Sequence, residues 1–307
     1  MNIIELIKEK RPNLKDNSLK SYLITLRKLN DDKEIKDLMF LKDFPKIMNK
    51  IDQFKLATQR NKLTAIIVVL SAFNKKQFEM AELKYREELE NRNKEYNDYI
   101  STHSKSDKQE KNWVNLDVLK KIMNQYKKQS KEQPNKKNIQ KYLVSALYLL
   151  QPPKRLIYSN MKIIDNRKYN DGEHNYLLNL GRNTKYFILN SYKTEAKHGK
   201  KEIKVPKEIN TIINLWLKVN STDNFLLNNR GEAMSTNGLG KYIHNIFRPS
   251  GKAITVNLLR NIYVSQNIDL EAVKKANSTE CLFEIRQKRL KYYFSISLTI
   301  WTFIKTK

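Results

Sequence analysis

The spacing of apolar residues changes partway along this chain, and the change rules out both an all-helical and an all-strand architecture. Up to Leu150 apolar side chains recur at intervals of three and four; beyond Gln151-Pro152-Pro153 they gather into short runs separated by turn residues. Leu19, Tyr22, Leu23, Leu26 and Leu29 form one helical stripe, with Asp16-Asn17-Ser18 as N-cap candidates before it. Leu56, Leu63, Ile66, Ile67, Leu70 and Phe73 form a second. Between them, Ile35 to Lys50 reads as two short helices broken near Pro45. From Lys75 to Tyr99 a long, charged, solvated helix is expected.

The polar, charged stretch around residues 105–112 lacks periodicity and is expected to be a linker. It divides a helical N-terminal domain, residues 1–104, from a second domain, residues 113–307. The second domain opens with helices from about Asn115 to Gln129 and from Asn138 to Leu150, the latter buried along Leu143, Ala146, Leu147 and Leu150. Then come extended runs, Tyr176 to Leu180, Tyr186 to Leu189 and Ile203 to Val205, separated by Gly181-Arg182-Asn183 and by Lys193 to Lys201. They are expected to form a small antiparallel sheet. Helical spacing returns after Pro206 and again over Ser235 to Phe247, and Phe225 to Leu227 reads as a further short strand. The expected class is mainly α with a small antiparallel sheet, an α+β fold.

Residues 254–266 form the last helical pattern, with Ile254, Leu258, Ile262 and Ser265 at near-helical spacing and Val256, Leu259 and Tyr263 on the adjoining face. Arg260 interrupts that surface. A guanidinium beside a mostly buried face needs an anionic partner, either a carboxylate or a bound phosphate. The formal net charge of +27 over 307 residues also asks for an anionic partner, nucleic acid first and a membrane surface second. One cysteine, Cys281, excludes an internal disulfide framework. The amphipathic N-terminus, which carries Glu5, does not resemble a secretory signal, and the longest apolar run, Phe294 to Ile304, is too short to span a membrane. A soluble, reduced protein is expected.

Most catalytic motifs are missing. Gly238-Leu-Gly240-Lys241 lacks phosphate-loop spacing, there is no His-Glu-x-x-His pair or two-metal acidic cluster, and the four histidines are scattered. What remains is an order of cations and tyrosines: Arg155 after Pro152-Pro153, Lys193 in a sheet turn, Arg260 on a buried helix, then Tyr292-Tyr293.

This order, carried by Leu149-Leu-Gln-Pro-Pro-Lys-Arg155-Leu-Ile-Tyr158, Tyr192-Lys193-Thr194 and Val256-Asn257-Leu-Leu-Arg260-Asn-Ile-Tyr263, resembles the tyrosine recombinase (phage integrase) family. The likeness is greatest to its divergent members from large DNA viruses and their satellites. Residues 1–104 are similar to the family's core-binding (SAM-like) domain in length and pattern, and residues 113–307 to its catalytic domain. The resemblance implies a site-specific recombinase or integrase that cuts and rejoins double-stranded DNA through a 3′-phosphotyrosine. It needs no metal or other cofactor, no small-molecule substrate and no membrane, and it assembles as a homotetramer on DNA. It is expected to be intracellular, in the host nucleus or cytoplasm for a viral source. Arg155 and Arg260 are implied to hold the scissile phosphate, Lys193 to protonate the leaving 5′ oxygen, and Tyr292, or alternatively Tyr293, to attack. Asn257 stands where the family usually has His, so a hydrogen-bond donor replaces a proton-transfer group.

The lead-in to Tyr292 also departs from the family pattern, with Phe283 nearest to the position of its usual His or Trp. Two expectations account for this C-terminus: a reading frame shifted after about Ser278, or an apolar tail, Phe294 to Ile304, that docks on a neighbouring subunit. Two alternative functions stay open, a catalytically impaired DNA-binding protein derived from such an enzyme and a nonspecific basic DNA-coating protein.

Overall fold

A computed structural model describes residues 3–14, 16–73, 76–101 and 105–267. The chain divides into two units, Met1–Ser104 and a second beginning at Lys105. The first unit is helical: α1 (Ile3–Lys10), α2 (Asp16–Leu29), α3 (Phe44–Asp52), α4 (Leu56–Phe73) and α5 (Glu79–Ser101). The second unit contains α6 (Asp107–Asn112), α7 (Leu116–Glu132), α8 (Lys136–Leu149), β1 (Lys162–Ile164), β2 (Tyr176–Asn179), β3 (Lys185–Leu189) and α9 (Glu195–His198). It continues through β4 (Lys201–Lys204), α10 (Lys207–Val219), α11 (Thr236–Ile246) and α12 (Val256–Asn267). The fold is mainly helical with one small sheet.

In the first unit α4 is the central element. Its apolar stripe is wider than the spacing of Leu63, Ile66, Ile67 and Leu70 implies, because Ala65, Val68 and Val69 are buried too. A helix apolar on nearly all sides belongs inside, and α1, α2, α3 and α5 pack around it. Asp16, Asn17 and Ser18 lie within α2 rather than ahead of it. As expected, two short helices meet near Pro45: a 3₁₀ turn over Met39–Lys42 ends at Asp43, and α3 begins with Pro45 in its first turn, where its missing N–H costs nothing. The charged helix α5 is mostly exposed, as expected; on its inner face Ala81 and Tyr85 are buried, and the Tyr85 hydroxyl donates to the Leu41 carbonyl at 2.9 Å.

The expected linker is structured. Ser106 and Gln109 form a reciprocal capping box on α6. Lys252 Nζ donates to the Lys111 carbonyl, and the Ala253 N–H donates to Asn112 Oδ1, both at 2.8 Å. The polarity of 105–112 is thus that of a short surface helix of the second unit.

The sheet runs β1-β2-β3-β4, antiparallel between β2 and β3 and between β3 and β4 as expected. The added strand β1 pairs with β2 in parallel, so the sheet is mixed. Residues 165–175, including a 3₁₀ turn at Arg167–Tyr169, bring the chain back for β2 to run in the same direction. Phe225 to Leu227 forms no strand; Leu227 makes an isolated bridge to Ala233. Lys185, 1% exposed, binds the β2–β3 turn with its ammonium, donating to the carbonyls of Gly181 (2.9 Å) and Arg182 (3.1 Å) and to Asn214 Oδ1 (2.6 Å). The main core of the second unit lies among α7, α8, α10, α11, α12 and one face of the sheet, including Leu143, Leu147, Phe187, Trp216, Phe225 and Ile262.

Candidate functional site

The segment after α8 is held from both sides. Leu150 caps α8 with an N–H to the Ala146 carbonyl, and Pro152-Pro153 supply no donors to continue the helix. Buried Gln151 donates to the Leu147 carbonyl (3.2 Å) and the Tyr158 hydroxyl (2.7 Å). Tyr158, fully buried, meets Tyr148 and Phe187 edge-on at ring separations of 5.9 and 5.3 Å. The Tyr148 hydroxyl donates to the Arg155 carbonyl at 3.3 Å. Lys154 and Arg155, both half-buried, therefore sit on a short loop fastened at each end.

Arg260 arrives from α12. Thr255 starts that helix, its hydroxyl accepting the Leu258 N–H at 3.2 Å. Leu258, Leu259 and Ile262 face the core, and Arg260 is 8% exposed among them. Burial first, and the charge of Arg155 second, push the Arg260 guanidinium down to about 10. The arginines expected to cooperate are therefore within electrostatic reach of one another. Arg155 Nε is buried and has no hydrogen-bond partner, which is costly for a guanidinium unless an anion completes the site.

Lys154 belongs to the same group. Burial first, then the charges of Lys201 and Arg260, lower its amine to about 8. Cations from three places are thus linked: Lys201 at the start of β4 and Arg260 on α12 act on Lys154, and Arg155 acts on Arg260. Such a cluster of donors suits an oxyanion with several acceptor oxygens.

The remaining expected site residues are distributed differently. Asn257 is exposed on α12, one turn before Arg260, and Lys193 is exposed in the β3–β4 connection. Lys201, at the far end of that connection, is the residue of this segment whose charge reaches Lys154. Tyr292, Tyr293 and the tail lie outside the described residues, as do Cys281 and Phe283. Among the described residues, no group of three or more His, Cys, Asp or Glu is arranged to hold a metal ion, and no helix is long and apolar enough to cross a membrane.

Asn175, just before β2, has a role that its sequence context hides. Its Oδ1 accepts the N–H groups of Asn190 (3.0 Å) and Ser191 (2.9 Å), while its Nδ2 donates to the carbonyls of Ile157 (3.1 Å) and Ser191 (2.9 Å). One buried amide thereby joins the Arg155 loop to the start of the connection that carries Lys193. The sequence holds weak signals for the residues missed: Lys154 directly adjoins Arg155 after two prolines, and Asn175 immediately precedes an apolar strand.

No family model matches the sequence, and no curated protein does. Among solved structures the chain is similar to one described as the crystal structure of XerA recombinase. The identity is 12%, over 87% of this chain and 85% of that one, with a TM-score of 0.35. A likeness of that degree carries no argument about activity.

Proposed function

We propose that this chain acts on double-stranded DNA as a tyrosine-recombinase-type strand-transfer enzyme. The observation that supports this reading is the buried Nε of Arg155 lacking a partner, together with the effect of the Arg155 charge on Arg260, distant in sequence. In this reading the two guanidinium groups hold the non-bridging oxygens of one phosphate. Preorganised donors at such oxygens are worth ~10² to 10³ each in rate. The Tyr292 oxygen, or that of Tyr293, gives its phenol proton to water and bonds to phosphorus as the bond to the 5′ oxygen breaks, leaving a 3′-phosphotyrosine. Lys193 gives its proton to the 5′ oxygen, and Asn257 donates a hydrogen bond. The bond energy is kept in the phosphotyrosine, so rejoining by the 5′-hydroxyl needs no ATP. Subunits assemble as a tetramer on DNA.

The test is covalent trapping on nicked duplex DNA from the sequences flanking the gene, resolved on denaturing gels. An adduct is expected that disappears in Arg260→Ala and in one of Tyr292→Phe and Tyr293→Phe. An adduct that persists in both tyrosine variants would sink the assignment. A second reading, a DNA-binding protein that no longer cleaves, is favoured by Asn257, whose amide cannot transfer a proton. Sequence-preferring DNA binding with no adduct would support it, while binding without sequence preference would point to a coating protein.

A further inference from the structure

We propose that the α7–α8 hairpin carries a second DNA-binding surface, a lysine ridge that holds the phosphate backbone of duplex DNA away from the site of Arg155 and Arg260. The inference rests on the DNA reading and adds a contact to it. Residues 115–141 contain eight lysines against two acids, Asp117 and Glu132. The inner face of α7 is taken by the core, where Leu116, Leu119, Ile122, Met123 and Tyr126 are buried. That fixes the side on which the lysines lie. Lys120, Lys127 and Lys131, at i, i+7 and i+11, share one exposed line, and Lys121 and Lys128 form a second beside it. The ridge continues onto α8: Lys136 and Lys137 are exposed in its first turn, and Lys141 places its Nζ 5.4 Å from the centre of the Tyr126 ring of α7.

These charges do not serve the fold. Lys127 with Lys131, and Lys137 with Lys141, are like charges at i, i+4, which destabilises a helix. Lys136 and Lys137 stand at the positive end of the α8 dipole, where a carboxylate is favoured and the first turn has none. Among the described residues, the one salt bridge made by the ridge joins Lys128 to Glu132, exposed and 3.7 Å long. An outside anion relieves these repulsions together. Its class follows from the shape and composition of the ridge. The line from Lys120 to Lys131 is about 16 Å long, which spans roughly five phosphates of one DNA strand. Insertion into a membrane surface needs a free apolar face, and that of α7 is packed in the core. An acidic protein needs apolar or aromatic anchors, and Val118 is the one large apolar side chain exposed on either helix. Lysine point charges without such anchors suit a regular array of phosphates, held without regard to sequence. The two ends of α8, Lys136 and Leu149, are about 20 Å apart, so its first turn and the Arg155 loop hold different phosphates.

The experiment is fluorescence anisotropy of the full chain on a labelled DNA duplex across a salt series. Wild type is compared with a ridge variant carrying Lys120→Gln, Lys127→Gln and Lys131→Gln together. A control variant carries Lys168→Gln, Lys204→Gln and Lys218→Gln, which remove the same charge from exposed positions on other elements. All six side chains are exposed, so circular dichroism should show both variants folded. The ridge variant is expected to lower the slope of log K against log salt by about three, and the control by less than one. An unchanged slope in the ridge variant would overturn the proposal while sparing the DNA reading. Equal losses in ridge and control would also overturn it, since the slope would then report net charge rather than a surface. Wild type that sediments with phosphatidylserine vesicles, and loses this in the ridge variant with its DNA slope unchanged, would give the ridge to a lipid surface instead. Absence of DNA binding by wild type would remove the DNA reading and this proposal together.

Discussion

A lysine held partly out of water beside two arginines costs its protein stability for as long as it remains charged. The Lys154 amine lies at about 8 in the folded chain against an ordinary 10.5, so between those values the unfolded chain binds more protons than the folded one. Stability from this group therefore rises with pH through that window, and the cost is fully present below pH 8. Lys154→Met removes the cost and is expected to stabilise the unliganded protein at pH 7 by on the order of 2 kcal/mol, a figure reduced for partial exposure. The gain should shrink as pH approaches 9.5. Above pH 10 the buried phenols of Tyr148 and Tyr158, held neutral by burial, act in the opposite sense, so the comparison belongs below that. Chemical denaturation of both proteins at pH 7 and pH 9.5 measures it. A variant that gains stability yet loses DNA affinity identifies a side chain kept for binding; one that loses stability at pH 7 contradicts the assignment of cost to Lys154.

Elements come together at this site through one amide. Asn175 ties the loop of Arg155 to the connection of Lys193, and with Ala in its place the buried Asn190 N–H and the part-buried Ser191 N–H lose their acceptor. Asn175→Ala is expected to cost about 2 kcal/mol, chiefly the one unmet buried donor of Asn190. It should also slow adduct formation at least tenfold at temperatures where the variant is folded, because small displacements of positioned groups are costly to rate. Unchanged adduct kinetics would mean that the two segments need no common anchor. Much of the element layout was legible in advance: α8 and α12 follow their apolar spacing, and Arg260 stood out as the charged residue on a buried face. Other parts left little local trace. β1 is three residues long and takes its direction from a partner strand more than ten residues on, and Lys154 after two prolines has the local chemistry of an exposed loop. Asn175 acts through backbone groups of two other segments, and no spacing along the chain encodes that.

At the scale of the whole molecule, charge is divided unequally. Residues 1–104 carry 21 Lys and Arg against 16 Asp and Glu, whereas residues 105–307 carry 38 against 16. The cores are separate as well, one built around Ile66, Leu70 and Tyr85 and the other around Leu147, Trp216 and Ile262. Each unit thus has its own apolar interior, and the excess positive charge belongs mainly to the second. Phosphate contacts release counterions in proportion to their number, so the salt slope of DNA binding counts them. A fragment of residues 105–307 is expected to fold and to keep most of the slope of the full chain, while residues 1–104 alone fold and bind weakly. Joining the two converts the second contact into a tethered one, and linkage of this kind typically adds 10² to 10⁴ in affinity. The full chain should therefore bind duplex DNA about 10² tighter than the 105–307 fragment at equal salt, measured by anisotropy after circular dichroism has confirmed that each fragment unfolds cooperatively. Equal affinities for fragment and full chain would mean that the first unit does not touch DNA. The helical domain would then serve some purpose other than clamping the duplex.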